Sequence, residues 1–365
     1  MDALSSWFIL KRVPKVGNLI FKRLMNHFGD PEKVLKAPSD ELVKVKGVTR
    51  KIAAAIQQNH EISWIEKELK SVTDKGYRII TQADPAYPPL LLEIPDPPPF
   101  LYAYGNVEPL SLKIAVVGSR NATRYGLSTA KKLAAALTAR QVTVVSGMAR
   151  GIDTAAHIGA IESKGKTIAV LGSGFDKIYP RENINLFHRI AENGAVLSEF
   201  HLNEGPKAHH FPIRNRIISG LCRGTVVVEA SRKSGSLITA GLSAEQNREV
   251  FAIPGSIRSF KSAGTHALIK QGAKLVEHAQ DIFDEIGPGM NMDPLPQDAS
   301  EHHDAPFVDE KEKKVLAILE PYPIGIDDLT QRLSMKPENL LVVLLQLELK
   351  GLITQEPGNR FTLSA

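Results

Sequence analysis

Two apolar runs that each stop at a glycine-bearing polar turn ahead of a helix constrain this 365-residue chain more than any other feature. Lys113 to Val117 is short and β-branched, and Gly118-Ser119-Arg120 separates it from the helical period of Leu127, Ala130, Leu133, Ala134 and Leu137. Val142 to Val145 repeats the pattern into Ser146-Gly147-Met148-Ala149-Arg150-Gly151-Ile152-Asp153 and an alanine-rich helix. A third copy, Thr167 to Leu171, runs into Gly172-Ser173-Gly174-Phe175-Asp176-Lys177. A helix N-terminus offers unpaired N–H groups and the positive end of the macrodipole, and glycine lets the main chain approach an anion. A single turn of this kind reads equally well as a tight connection with a solvated arginine. Three on neighbouring parallel strands gather at the carboxyl ends of the strands, where open α/β sheets bind ligands. The expectation is a phosphate-rich ligand at that edge.

The length suffices for two or three domains, and 43% hydrophobic residues provide a buried core. The lone Cys222 follows Ile217, Ile218 and Leu221 and reads as a small core residue; one cysteine excludes a disulfide framework and fits a reducing cytosol. No apolar run approaches the roughly 20 residues of a membrane span, and the first ten residues lack a cationic leader, so a soluble, cytoplasmic protein is expected. The net charge is +3 over residues 1–106, +8 over 107–285 and −6 over 286–365. A basic middle and an acidic tail assign a polyanionic ligand to the middle alone.

In chain order, residues 1–80 read as a helical module with two helix-hairpin-helix-like (SAM-like) elements, around Val13-Pro14-Lys15-Val16-Gly17 and Val43-Lys44-Val45-Lys46-Gly47-Val48. Their glycine turns and lysines suit either phosphate contacts or a packing module. Residues 81–106 hold so many prolines that an extended strap on a domain surface is expected rather than a helix. Residues 107–286 alternate strand and helix, the pattern of an α/β, Rossmann-like, doubly wound and mostly parallel sheet, with further strands near 195–198, 225–229, 250–253 and 274–276. Residues 287–306 read as a flexible linker. Residues 307–365 read as a winged helix whose third helix, near 337–350, is largely apolar and poorly equipped for phosphate contacts, which favours a protein-facing or regulatory role.

Two further turns complete a set of five. Arg214, Asn215 and Arg216 are expected at a helix start, where clustered cations oppose the macrodipole and imply an anion to offset it. Ser234, Gly235 and Ser236 open another helix at a strand end. The candidate phosphate-binding set is thus Gly118, Ser119, Arg120, Ser146, Gly147, Arg150, Gly151, Gly172, Gly174, Phe175, Lys177, Arg214, Asn215, Arg216, Ser234, Gly235 and Ser236. Phe175, Tyr179 and Phe211 lie among these turns, either as base-stacking platforms or as core.

Taken jointly, these segments resemble the DprA/Smf family of DNA-processing proteins. The resemblance rests on Val117 to Arg120 with Tyr125-Gly126, Ser146 to His157, Leu171-Gly172 with Asp176 and Tyr179 to Asn183, Leu197 to Glu199, Phe211 to Leu221, Ser234 to Ala240 and Val250 to Gly255. Asn247, where the family pattern has glycine, and His266, where it has asparagine, depart from it. The resemblance implies a sequence-independent single-stranded DNA-binding protein of natural transformation. Such a protein protects incoming strands, assists loading of the RecA recombinase, dimerises through its core, and uses neither cofactor nor metal nor catalytic residue. The competing reading is a nucleotide-phosphate-binding hydrolase of phosphoribohydrolase type, with Asp153, Asp176, Glu199 or Glu229 as acid or base. Against it, the chain lacks the Pro-Gly-Gly-x-Gly-Thr turn of such hydrolases, Cys/His metal spacing and a nucleophile elbow. A transcription regulator built on the winged helix is disfavoured by the acidic tail.

Overall fold

The computed structural model describes residues 3–58, 62–108, 110–287, 308–319 and 323–363. Its centre is a nine-stranded sheet in the order β1-β2-β6-β5-β4-β3-β7-β8-β9. The strands are β1 (Arg78–Thr81), β2 (Phe100–Gly105), β3 (Lys113–Val117), β4 (Thr143–Ser146), β5 (Thr167–Val170), β6 (Gly194–Ser198), β7 (Gly224–Val227), β8 (Glu249–Ala252) and β9 (Lys274–Leu275). From β6 to β9 all neighbours are parallel, in register at Ala115 with Val145, Val170 with Leu197 and Val117 with Val227. The three glycine turns therefore do follow adjacent strands.

All five residues of β3 are buried, because a central parallel strand is covered on both faces. Ile114 and Val116 face helices α8 (Arg124–Ala139), α9 (Ile152–Glu162) and α14 (Ala279–Ile286). Ala115 and Val117 face the opposite layer, built from α7 (Pro89–Glu93), α11 (His210–Gly220) and α12 (Ser236–Glu245). Even Lys113 is buried, its amine donating back to the carbonyls of Glu108 (2.7 Å) and Ser111 (2.9 Å). Helix α10 (Ile184–Glu192) crosses between β5 and β6, and α13 (Ala263–Lys270) between β8 and β9. Among the described residues no helix is long and apolar enough to cross a membrane.

The proline-rich stretch is not the surface strap expected of residues 81–106. Pro89–Glu93 forms one helical turn, with Pro89 at its first position where a missing N–H costs nothing, and Phe100–Gly105 enters the sheet between β1 and β6, antiparallel to both. The prolines turn the chain between these pieces: Tyr87 donates its hydroxyl hydrogen to the Pro98 carbonyl at 2.7 Å.

The N-terminal module comprises α1 (Ala3–Arg12), α2 (Asn18–Phe28), α3 (Pro31–Lys36), α4 (Ser39–Leu42), α5 (Arg50–Ile56) and α6 (Ser63–Asp74). Its two hairpins turn through left-handed backbone at Lys15 and Gly47. The module is fixed to the sheet. Phe8 stacks on Phe100 at 4.3 Å, Tyr102 donates to Glu68 at 2.8 Å, and Lys22 donates to the Leu92 and Ile94 carbonyls.

The C-terminal unit is a winged helix. Helices α15 (Glu310–Ile318), α16 (Ile326–Leu333) and α17 (Pro337–Leu349) combine with β10 (Ile324–Gly325), β11 (Ile353–Glu356) and β12 (Arg360–Leu363), the strands ordered β10-β12-β11. It has its own core around Val315, Leu329, Leu344 and Phe361, and buries Glu312 against Lys350 at 2.6 Å. Gly287 apart, the expected linker lies outside the described residues.

Candidate nucleic-acid interface

The sheet order reverses at β3 and β7, since β4, β5 and β6 continue to one side of β3 and β8 and β9 to the other. Helices on either side of such a reversal leave a crevice at the carboxyl ends of the strands. Here it is a cleft of about 410 Å³. Its walls come from the turn after β3 (Gly118 to Asn121), from Ala149 and Asp153, from Phe211 to Asn215, and from Ser231 to Thr239.

The first two turns interlock. A Cβ on Gly118 would lie 2.6 Å from Ile152 Cγ1, and Gly151, at φ +76°, presents its α-carbon where a Cβ would meet the Ser119 carbonyl oxygen at 2.3 Å. Ile152 donates its N–H to that same carbonyl at 3.2 Å. Side chains at these two glycines would push the turns apart.

Arg120 stands exposed at the cleft, its guanidinium 5.0 Å from the centre of the Phe211 ring. Among the described residues it forms no ion pair. Tyr179, also exposed, lies 5.8 Å from the Phe211 ring. Ser234 and Ser236 exchange a hydroxyl hydrogen bond of 2.8 Å at the start of α12, and Lys261 donates to the Asn121 carbonyl at 2.5 Å from the far side of the rim.

The floor is a locked polar layer. Arg214 is 3% exposed and donates to the carbonyls of Gly147 (2.6 Å) and Val170. Burial, and secondarily the neighbouring Arg120, pull its pKa down to about 10, against the attraction of Asp153. Asp153 accepts from Gly147 N–H (3.2 Å) and Ala149 N–H (3.3 Å); burial raises its pKa, and Arg214 and those N–H groups work in the other direction. Glu229, 1% exposed, accepts from the N–H (2.9 Å) and the hydroxyl of Thr123, while Thr123 caps α8 by accepting from Gly126 N–H at 3.1 Å.

The expected site residues thus divide. The structure brings Gly118, Ser119, Arg120, Arg214, Asn215, Ser234, Gly235 and Ser236 together around one cleft. Ser146 is buried and donates to the Val116 carbonyl at 2.7 Å, and Gly147 lies under the Arg214 guanidinium. Arg150 and Lys177 are exposed away from the cleft, Arg150 paired with Glu182. Gly172 packs on the Phe211 ring and Gly174 against the His201 carbonyl.

Two expectations need correction. Phe175 is no stacking platform: it is 2% exposed and wedged among Tyr77, Tyr102 and Phe187 at 5.0 to 6.4 Å. The cations of α11 do not sit at a helix start, because the helix begins at His210; Arg214 and Arg216 belong to its middle, and the macrodipole argument lapses. Arg216 is tied to Glu199 at 2.5 Å and to Asp96 at 3.3 Å. What the sequence reading did not single out is the contribution of Asn121, Thr239 and Lys261: Asn121 and Thr239 stand just past glycine turns already counted, and Lys261 reaches the rim from 140 residues away.

The carboxylates considered as acids or bases all hold structural partners: Asp153 and Glu229 as above, Asp176 with Lys75 at 2.6 Å, and Glu199 with Arg216. Among the described residues no group of three or more His, Cys, Asp or Glu could hold a metal ion.

Comparisons with known proteins point one way. The family model described as DNA recombination-mediator protein A matches residues 78–287, and that of the DprA winged helix domain matches residues 294–359. Protein Smf of Synechocystis sp. is 34% identical over 97% of this chain and 97% of its own. The X-ray structure of DNA processing protein A from Streptococcus pneumoniae superposes with a TM-score of 0.69 at 37% identity, covering 77% of this chain and 98% of that one. A second structure, described as giving insight into the single-stranded DNA binding mode of DNA processing protein A from Helicobacter pylori, superposes at 0.52 with 29% identity, covering 57% of this chain and 94% of that one.

Proposed function

The chain belongs to the DNA recombination-mediator protein A (DprA/Smf) family, and from that premise we propose that it binds single-stranded DNA without reading sequence, by its phosphates, in the cleft between β3 and β7. The single observation that carries this reading is Arg120: an exposed guanidinium braced on Phe211, at a cleft whose one lining carboxylate is turned inward to backbone N–H groups. A planar, always-charged fork of donors suits a phosphate, and it carries no base code. Phe211 and Tyr179, half-buried and exposed, offer faces to bases, a role that buried Phe175 cannot fill. The structural neighbour from Helicobacter pylori supports the choice of a single strand. In the same proposal the bound strand is protected and passed to the RecA recombinase in natural transformation. The protein acts as a homodimer in the cytoplasm, and the cleft performs no catalytic step.

The test is fluorescence anisotropy with labelled single and double strands across salt. Neutralising about four to six phosphates gives a slope of log K against log salt of roughly −3 to −4. A flat salt response, or equal affinity for duplex, overturns the proposal.

A further inference from the structure

The loop joining β8 to α13, residues 253–262, does not line the cleft just described, yet through Lys261 it is built against the rim. Its Lys261 amine reaches Asn121 on the rim. Its backbone is pinned at both ends: Ala230 N–H donates to the Lys261 carbonyl at 2.8 Å, Gly264 N–H to the Ala230 carbonyl at 2.7 Å, and the Tyr125 hydroxyl to the Pro254 carbonyl at 3.2 Å. His266 Nε2 lies 3.0 Å from the Gly255 carbonyl oxygen. The crown of this anchored loop holds Phe260, 72% exposed and the most exposed aromatic among the described residues.

Phe260 shares the crown with Ile257, itself 92% exposed, and exposed apolar side chains alone require no explanation. Phe260 differs in its company. Lys261 Nζ lies 6.0 Å from its ring centre and Arg258 is exposed two residues away. An apolar protein partner covering this ring would have to strip water from two cations. A single strand suits both, since phosphates meet the cations while any base presents a π-face to the ring. Because the loop is already fixed, little ordering is left for binding to oppose.

We infer that Phe260 is a second base-stacking platform, on which a nucleotide of the strand leaving the cleft past Asn121 comes to rest. This rests on the cleft binding single strands, and it deepens that reading by adding a subsite on the β8 side. The strand then runs from Arg120 and Phe211 across Asn121 to Phe260, and its footprint exceeds what the cleft alone accommodates.

The full-length protein is titrated with oligothymidylates of about 4 to 16 nucleotides, as parent, Phe260→Ala, Phe260→Trp and Arg120→Ala. Phe260→Ala is expected to bind long oligomers about tenfold more weakly at every salt concentration, with an unchanged salt slope, because a ring releases no counterions. It should equal the parent on oligomers too short to leave the cleft. Phe260→Trp should retain parental affinity, and its added indole fluorescence should be quenched only by the longer oligomers. Arg120→Ala should instead lose affinity at all lengths and flatten the slope. Unquenched indole together with parental affinity of Phe260→Ala at every length overturns the subsite while leaving the cleft intact. A change in sedimentation coefficient on Phe260→Ala overturns it in favour of a contact between copies. Failure of the parent to bind any oligomer sinks the cleft reading itself.

Discussion

Arg120 and Arg216 enter with the same expectation and end in opposite roles. Arg120 is exposed and, among the described residues, forms no ion pair; Arg216 is 6% exposed and bonded to Glu199 and Asp96. A charge-assisted hydrogen bond to phosphate contributes about 1.5 to 3 kcal/mol, roughly ten- to a hundredfold in affinity. Arg120→Ala should lose that affinity and shallow the salt slope by about 0.7, with its melting temperature unchanged. Arg216→Met removes one half of a buried ion pair and leaves Glu199 to the Asn18 amide at 3.3 Å and the neighbouring Lys11, a loss of about 3 kcal/mol of stability. Urea unfolding measures this. The folded fraction of Arg216→Met should still bind single strands like the parent, and a selective loss of binding would return Arg216 to the site. Asn247 shows a third outcome at this scale. The departure from family glycine falls at φ +56°, a left-handed position that asparagine tolerates better than most residues, so the helix-to-strand turn survives the change.

Among the elements, the parallel strands were readable because strands buried on both faces are continuous apolar runs, and their glycine turns marked where each ends. The start of α11 was not readable: His209, ahead of it, makes no side-chain cap, so no local signal separates the loop from the helix, and the cations drew the boundary four residues late. Strand β2 was hidden by the prolines before it. Prolines forbid ladder hydrogen bonds only where they stand, and Phe100–Gly105 contains none. The support of the α8 cap could not be read, since Glu229, 106 residues from Thr123 and just past β7, accepts from the N–H and hydroxyl of that capping residue. Gly126 makes room for that carboxylate. A Cβ there would lie 2.6 Å from Glu229 Cδ and 2.7 Å from Oε2. Gly126→Ala should therefore destabilise by about 1 to 3 kcal/mol, although alanine ordinarily favours a helix. Denaturant midpoints of the single variant and of Gly126→Ala with Glu229→Ala decide it: the second change should relieve the clash, and a penalty independent of residue 229 would assign the cost elsewhere.

At the scale of the molecule, charge and architecture favour the proposed cleft over the winged helix. The acidic C-terminal winged helix exposes Leu341, Val342, Leu345 and Leu349 on α17, where a groove-reading helix would carry cations. A chain ending at Gly287 should accordingly keep its single-strand affinity within about threefold of the parent. Loss of most affinity in this shortened but folded protein would move the site to the winged helix. The opposite truncation cannot be made so freely. β2 hydrogen-bonds β6 on one side and β1 on the other, and Phe8 of α1 stacks on Phe100. In biosynthesis this order has a consequence. Phe100 and Tyr102 leave the ribosome long before their sheet partner β6 is made, yet after α1 and α6 have already emerged. The helices that cover those two rings in the finished protein are thus on hand when the strand appears, so the N-terminal module can shelter a newborn apolar edge until the rest of the sheet arrives to close it.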